Sequence, residues 1–372
     1  MNVLHLYRTY FPDPPGGLQE AIRQIALATR LHGANVRIFT LSPNPRPERL
    51  HIDDIEVIRA RSLAAPGSCD LGGRDALHRF PELADWADII HFHFPWPFAD
   101  VLNLVARPAR PKVMTYHSDI VRQRFMGALY RPLMQRTLSD MNAVVATSPP
   151  YIPTSPVLSR QRPGKRLRVI PLGIEESTYP TQCDDAILSR LGLAENVPFI
   201  LFIGVLRYYK GLHTLVQAAA AIKGTVVIAG SGPEAAAIRE QARRLGADNV
   251  VFAGQVTDAE KIALLRACRA LVLPSHLRSE AYGMVLVEAS MFGKPMVSCE
   301  IGTGTSFVNQ HEETGFVTPP EDADALARAM NRLLSDAELA QQFGTAARER
   351  YEHLFSGSVM GAAYTSLYNE LT

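Results

Sequence analysis

Short apolar runs alternate along this chain with longer segments in which apolar residues return every third or fourth position, the rhythms of strands and amphipathic helices. "VLHLY" (3–7) reads as a strand. A loop carrying Pro12, Pro14, Pro15, Gly16 and Gly17 follows, and "LQEAIRQIALATRLHG" then has helical spacing and stops at Gly33. "NVRIFTLS" (35–42), "ADIIHFHF" (87–94), "KVMTYHS" (112–118) and "AVVATSP" (143–149) are further strands, with helices expected at 97–107 and 120–140. Strands alternating with helices predict a doubly wound parallel sheet.

After "RVIPLGIE" (168–175) a polar stretch, Glu176 to Asp185, reads as an interdomain linker, and the alternation begins again. "PFILFIGVL", "TVVIAGS", "NVVFAG", "ALVLPS" and "PMVSC" are strands; "GLHTLVQAAAAI", "PEAAAIREQARRLG", "TDAEKIALLRAC" and "GMVLVEASMFG" are helices, the third opening on a Thr257-x-x-Glu260 capping box. The reading is therefore α/β with two doubly wound domains, 1–175 and 186–355. The active site is expected in the cleft between them, beyond the carboxyl ends of parallel strands.

A length of 372 residues agrees with two domains, and a composition 47% hydrophobic and 20% charged excludes disorder, collagen and coiled coil. No apolar run approaches the roughly 20 residues that span a bilayer. The opening "MNVLHLYRTY" has no leader pattern, so a cytoplasmic location is expected. Cys69, Cys183, Cys268 and Cys299 are too scattered for a disulfide framework or a zinc ribbon. The near-neutral total charge hides an asymmetry: residues 1–174 carry 22 Lys and Arg against 14 Asp and Glu, net +8, and the remainder carry 16 against 23, net −7. Such a basic half should attract an anionic partner. Part of the excess lies in 120–138, where Arg122, Arg124, Arg131 and Arg136 alternate with Phe125, Met126, Leu129 and Leu133, and Pro132 can kink the helix. That segment reads either as a peripheral helix on an anionic membrane surface, the inner face of the plasma membrane, or as a core-facing stripe with a solvated basic face.

The candidate chemistry is densest in the second half. Arg207 and Lys210 follow a strand just before a helix start, a placement that suits a pyrophosphate, although two solvated loop cations would look the same. "GSGPE" (230–234) is either a phosphate turn or a packing turn. Glu280 stands at the entrance of the helix opened by Gly283; Glu288 lies within it among apolar residues, where a carboxylate needs a partner such as a ribose diol. His91 and His93 are read as pointing to opposite faces of their strand, which makes a two-histidine metal site there improbable. No Ser-His-Asp order, paired metal carboxylates or H-E-x-x-H appears.

Taken together, Gly16-Gly17, "TYHSD", "VIPLGI", "GVLRYYKGLHTL", "AGSGPE", "VFAGQV", "LPSHLRSEAYGMVLVEASMFGKPMVS" and "ETGFVTPPEDADALARAM" resemble the family-4 retaining glycosyltransferases of GT-B fold over nearly the whole chain. The most specific element is the Glu-x7-Glu spacing of Glu280 and Glu288 behind Arg207 and Lys210. The resemblance implies that Arg207 and Lys210 neutralise the diphosphate of a nucleotide sugar without a metal or cofactor. It implies that Glu288 binds the ribose and Glu280 the donor sugar, with amides of Gly283, Met284 and Val285 at the phosphates and the base near Gln255 and Val256. Gly16 and Gly17 would approach the donor phosphate from the other domain, and His117 would stand near the reacting sugar on the acceptor side. The terminal helix, 356–372, would pack back on the first domain, and donor binding would close the cleft. The pattern is most similar to bacterial enzymes that move mannose or D-rhamnose from GDP-linked donors to a saccharide, lipid-linked acceptor in O-antigen or related polysaccharide synthesis. UDP-glucose or UDP-N-acetylglucosamine as donor, a sugar-nucleotide epimerase and a non-catalytic nucleotide-sugar-binding scaffold stay open, and nucleic acid is not an expected partner.

Overall fold

Nine strands from the first half of the chain gather into one sheet. They are β1 (Asn2–Leu6), β2 (Asn35–Ser42), β3 (Arg49–Ile52), β4 (Ile55–Ala64), β5 (Leu71–Gly72), β6 (Ile89–Phe94), β7 (Lys112–Tyr116), β8 (Ala143–Ala146) and β9 (Leu167–Val169), in the order β3-β4-β2-β1-β6-β7-β8-β9 with β5 on the far end of β4. The computed structural model describes residues 1–13, 16–66, 69–120, 124–160, 166–179, 181–193 and 197–372, and only the backbone of 124–129. The run from β4 through β2 and β1 to β9 is parallel, as the alternation with helices predicts. Its inner strand β6, "IIHFHF", is buried at every position, because helices cover both faces of a parallel sheet.

The edge departs from the expected all-parallel pattern. β3 and β4 form an antiparallel hairpin joined by Asp53 and Asp54, both at positive φ (50° and 58°), the two-residue turn whose twist suits a hairpin.

A second sheet holds β10 (Phe199–Ile203), β11 (Thr225–Ala229), β12 (Val250–Gly254), β13 (Ala270–Leu273), β14 (Met296–Cys299) and β15 (Gly315–Thr318), all parallel, in the order β12-β11-β10-β13-β14-β15. The chain divides into one unit of residues 1–175 with 357–372 and another of 176–356. The polar stretch that opens the second unit is thus part of it, and Glu176 is held there by Arg348 at 2.9 Å. In the first unit the helix Gly357–Leu371 lies so close to the helix Gly17–Leu31 that a Cβ on Gly361 would meet the Ala28 carbonyl oxygen at 2.5 Å.

The basic helix forms over Arg124–Asp140 with Pro132 inside it. Met134 and Leu138 are buried in the first unit while Arg131 and Arg136 are exposed, so this part is the core-facing stripe with a solvated basic face rather than a free apolar surface. Arg122 and the side chains of Arg124, Phe125, Met126 and Leu129 lie outside the described residues. Among the described residues no helix is long and apolar enough to cross a membrane.

Candidate active site

Strand order places the chemistry of the second unit. β10 and β13 are neighbours, so the loops leaving their carboxyl ends adjoin, although 70 residues separate Lys210 from Glu280. Lys210 Nζ donates to Glu280 Oε2 at 2.6 Å, with both side chains nearly buried, and Ser275 Oγ donates to the same carboxylate oxygen at 3.3 Å. Thr303 Oγ1 holds the Glu280 carbonyl at 2.8 Å. Burial opposes the charge on Lys210, but Glu280, Tyr209 and the hydrogen bond to Glu280 more than offset it, so its pKa lies above the ordinary lysine value and the group is an ammonium. Arg207 is near enough to oppose that rise, is itself exposed, and pairs with no other described residue through its guanidinium. Two cations and a single carboxylate leave an uncompensated positive charge, which suits a diphosphate.

The backbone beneath is drawn tight. Lys210 Nζ lies 3.7 Å from where a Cβ on Gly204 would stand, at the end of β10. A Cβ on Gly230 would strike the Gly204 carbonyl oxygen at 2.0 Å, and one on Gly232 the Leu206 carbonyl oxygen at 2.5 Å. The glycines of "GSGPE" are thus required by the close packing of these two loops. Gly211 is the most demanding: at φ +69°, its added Cβ would sit 1.9 Å from the Pro274 oxygen. Gly211→Ala is expected to lower stability by about 2–4 kcal/mol, through left-handed strain and a backbone clash. An unchanged melting temperature would show that the loops after β10 and β13 are not pressed together in this way.

The helix Met284–Met291 begins at Gly283 (φ +84°), and its first amides, including Met284 and Val285, have no partner within the helix. They are placed to meet an anion. Glu288 is already engaged: Oε1 accepts from Lys261 Nζ at 3.0 Å and from the Tyr179 hydroxyl. Neither partner was legible, since Tyr179 falls in the stretch read as linker and Lys261 in a helix noted only for its cap. That cap is present in full, Thr257 and Glu260 each bonding the other's backbone. Gln255 accepts from Ser231 Oγ at 2.7 Å, and Val256 follows it at the end of β12.

In the first unit Gly16 and Gly17 open the helix Gly17–Leu31. Among the described residues packing demands neither glycine: Gly17 has nothing within 4 Å of an added Cβ, and Gly16 only the flexible end of Gln19. His117 stands just beyond β7, and its Nε2 is 2.9 Å from His93 Nδ1; His93 Nε2 is in turn 2.9 Å from His5 Nδ1. His91 bonds the Tyr368 hydroxyl and Thr115 Oγ1, both at 2.7 Å.

This corrects the expectation that His91 and His93 face opposite ways. Residues two apart on a strand share a face, and their rings stack with centroids 4.4 Å apart. The expected objection to metal on that strand therefore falls, but another replaces it. His5, His91 and His93 offer ligand atoms within 4.8 Å of one another, yet all their ring nitrogens except His5 Nε2 are already hydrogen-bonded. Burial pushes the pKa of His5 and His117 down to about 3 and those of His91 and His93 well down, so the four rings are neutral.

The sequence matches two family models in tandem, "Glycosyltransferase Family 4" over residues 15–178 and "Glycosyl transferases group 1" over residues 184–350. It is 42% identical to the O-antigen chain mannosyltransferase C of Escherichia coli, over 100% of this chain and 99% of that one. It is 43% identical to the D-rhamnosyltransferase WbpZ of Pseudomonas aeruginosa, over 96% of this chain and 92% of that one. Among solved structures, Anabaena HepE in complex with UDP-glucose superposes with a TM-score of 0.80 at 21% identity, covering 100% of both chains, which establishes the fold. With end-to-end similarity of this kind, two parallel-sheet units and paired cations at the carboxyl end of β10, the chain belongs to the GT-B glycosyltransferases.

Proposed function

We propose that this hexosyltransferase moves mannose or D-rhamnose from a GDP-linked donor to a saccharide acceptor carried on a lipid during O-antigen assembly, with retention at the anomeric carbon. The observation that carries the donor reading is the Lys210–Glu280 pair at 2.6 Å beside Arg207, whose guanidinium pairs with no other described residue. In the transfer step Lys210 and Arg207 stabilise the charge that gathers on the diphosphate as the glycosidic bond breaks. The second oxygen of Glu280 and the carboxylate of Glu288 hold sugar and ribose hydroxyls. The departing phosphate oxygen takes the proton of the attacking hydroxyl on the same face of the sugar, so no side chain need act as base and no metal enters this step. The sugar assignment is supported by the activities named for the two full-length relatives.

A ligand that binds only the folded state raises the melting temperature. GDP-mannose or GDP-D-rhamnose at about 100 times its dissociation constant should stabilise the second unit by about 2.7 kcal/mol. Thermal-shift titrations with both, and with UDP-glucose and UDP-N-acetylglucosamine, check the base. A shift with the UDP sugars alone would overturn the GDP assignment. Donor turnover without acceptor, followed by NMR, would instead reveal an epimerase.

A further inference from the structure

We propose that His213, His276 and Glu321, on the second unit, form a binding site for a divalent transition-metal ion of the zinc class, separate from the groups assigned to the donor. His213 lies in the first turn of the helix Leu212–Ala219, His276 in the loop after β13, and Glu321 just past β15. One ligand atom from each lies within 4.8 Å of the other two.

The strongest sign is His276. Its side chain belongs to a residue only 8% exposed, and neither Nδ1 nor Nε2 has a hydrogen-bond partner among the described residues. Leaving a buried polar atom dry costs the full desolvation of that group, so an imidazole with both nitrogens unanswered calls for a partner. The ring is held in place rather than loose: Tyr208 and His213 each meet it edge-on at 4.9 Å.

The donor set selects the ion. Two imidazoles and one carboxylate suit zinc and its neighbours, whereas calcium and magnesium take oxygen ligands. His213 Nε2 and Glu321 Oε1 are 3.9 Å apart. Ligands about 2.1 Å from a tetrahedral ion stand about 3.4 Å from one another. His213 is half-buried and Glu321 exposed, so a small rotation of the Glu321 side chain closes the difference, and water completes the fourth position. The other histidine cluster offers no such opening, because five of its six ring nitrogens are already bonded.

An ion here would join three loops at the carboxyl end of the sheet. The His276 amide donates to the Tyr209 carbonyl at 3.0 Å, one residue from Lys210, so occupancy would stiffen the loop that carries the two cations. It uses none of Arg207, Lys210, Glu280 or Glu288, and it stands or falls independently of the donor assignment.

The test uses the full chain without an affinity tag, stripped with EDTA and titrated with zinc chloride by calorimetry and thermal shift. One ion per chain is expected to bind and to raise the melting temperature. His213→Asn, at a half-buried position, and Glu321→Gln, at an exposed one, should both fold and are expected to weaken zinc binding about tenfold or more. Cobalt chloride should give the visible absorption of a tetrahedral site in the wild type and lose it in both variants. His276→Gln should abolish binding, but since it sits in the core the decision rests on the other two. No zinc binding by the wild type, or equal binding by His213→Asn and Glu321→Gln, would overturn the proposal; the latter result would place the ion elsewhere, and the three side chains would then be a packing cluster only.

Discussion

Lys210→Ala is expected to lower kcat by about 10²–10³-fold, the loss that follows removal of one preorganised group from developing charge. The same substitution strips Glu280 of its 2.6 Å partner and leaves a nearly buried carboxylate with, among the described residues, only the hydroxyl of Ser275. Uncompensated buried charge is strongly destabilising, so the variant should also melt earlier. Stability and catalysis are separable with one more change. Lys210→Ala combined with Glu280→Gln removes the stranded charge, and its melting temperature should recover towards the wild type while kcat stays low. Arg207→Ala, at an exposed position without an ion pair to another described residue, should lose turnover with little loss of stability. Steady-state kinetics beside thermal melts check all three. Near wild-type kcat in Lys210→Ala would remove the phosphate role; recovery of kcat in the double variant would mean that Lys210 only neutralises Glu280.

The resemblance sets Lys210 and Glu280 in one site, but their direct ion pair is a matter of strand order. The apolar runs "FILFI" and "ALVL" announce β10 and β13, but nothing in either says that they are neighbours, and only that adjacency brings Lys210 to Glu280. The parallel strands were legible because burial on both faces leaves continuous Val, Ile and Leu. The β3–β4 hairpin was not: its strands mix charge with apolar residues, and its turn is Asp53-Asp54 rather than an Asn-Gly signal. The helix Arg74–Trp86 carries Pro81 inside it, which masks its rhythm. For Glu288 the need for a partner could be read from its apolar company, but Lys261 and Tyr179 could not be identified. The histidines show a different failure. The i, i+2 spacing of His91 and His93 already places them together, and with His5 opposite His91 in the β1–β6 register the row was available to a correct count of the pleat.

That row should make the first unit acid-labile in a way that single substitutions can partition. His5, His91, His93 and His117 are neutral when folded, with pKa values held below 6.5 chiefly by burial. In the unfolded chain each protonates near pH 6.5. The folded pKa being depressed, the unfolded state binds more protons below that pH, so the stability these groups allow is fully present above about pH 6.5 and is lost as pH falls from there, for His5 and His117 down to about 3. Each histidine contributes a slope of about 1.4 kcal/mol per pH unit in that window. Asp100 works in the opposite direction: burial raises its carboxyl to about 7, so its folded form keeps a proton that the unfolded chain releases above about pH 4. The differential measurement avoids that offset. Urea unfolding of wild type and His5→Gln at several pH values between 4 and 6.5 should give slopes differing by about one proton, and His91→Gln should do the same. Parallel pH profiles would mean that the rings are already charged in the folded state. The two uniform hydrogen-bond arrangements of the string His5–His93–His117 also differ in cost. If each proton sits on Nε2, His5 Nε2 becomes a buried N–H with no acceptor among the described residues; if each sits on Nδ1, it is a bare lone pair, which interiors tolerate better. His117 is thereby held as a donor at Nδ1. His93→Leu should release that constraint and lower stability by about 1–3 kcal/mol for each ring nitrogen left dry, a loss seen in the same urea titrations.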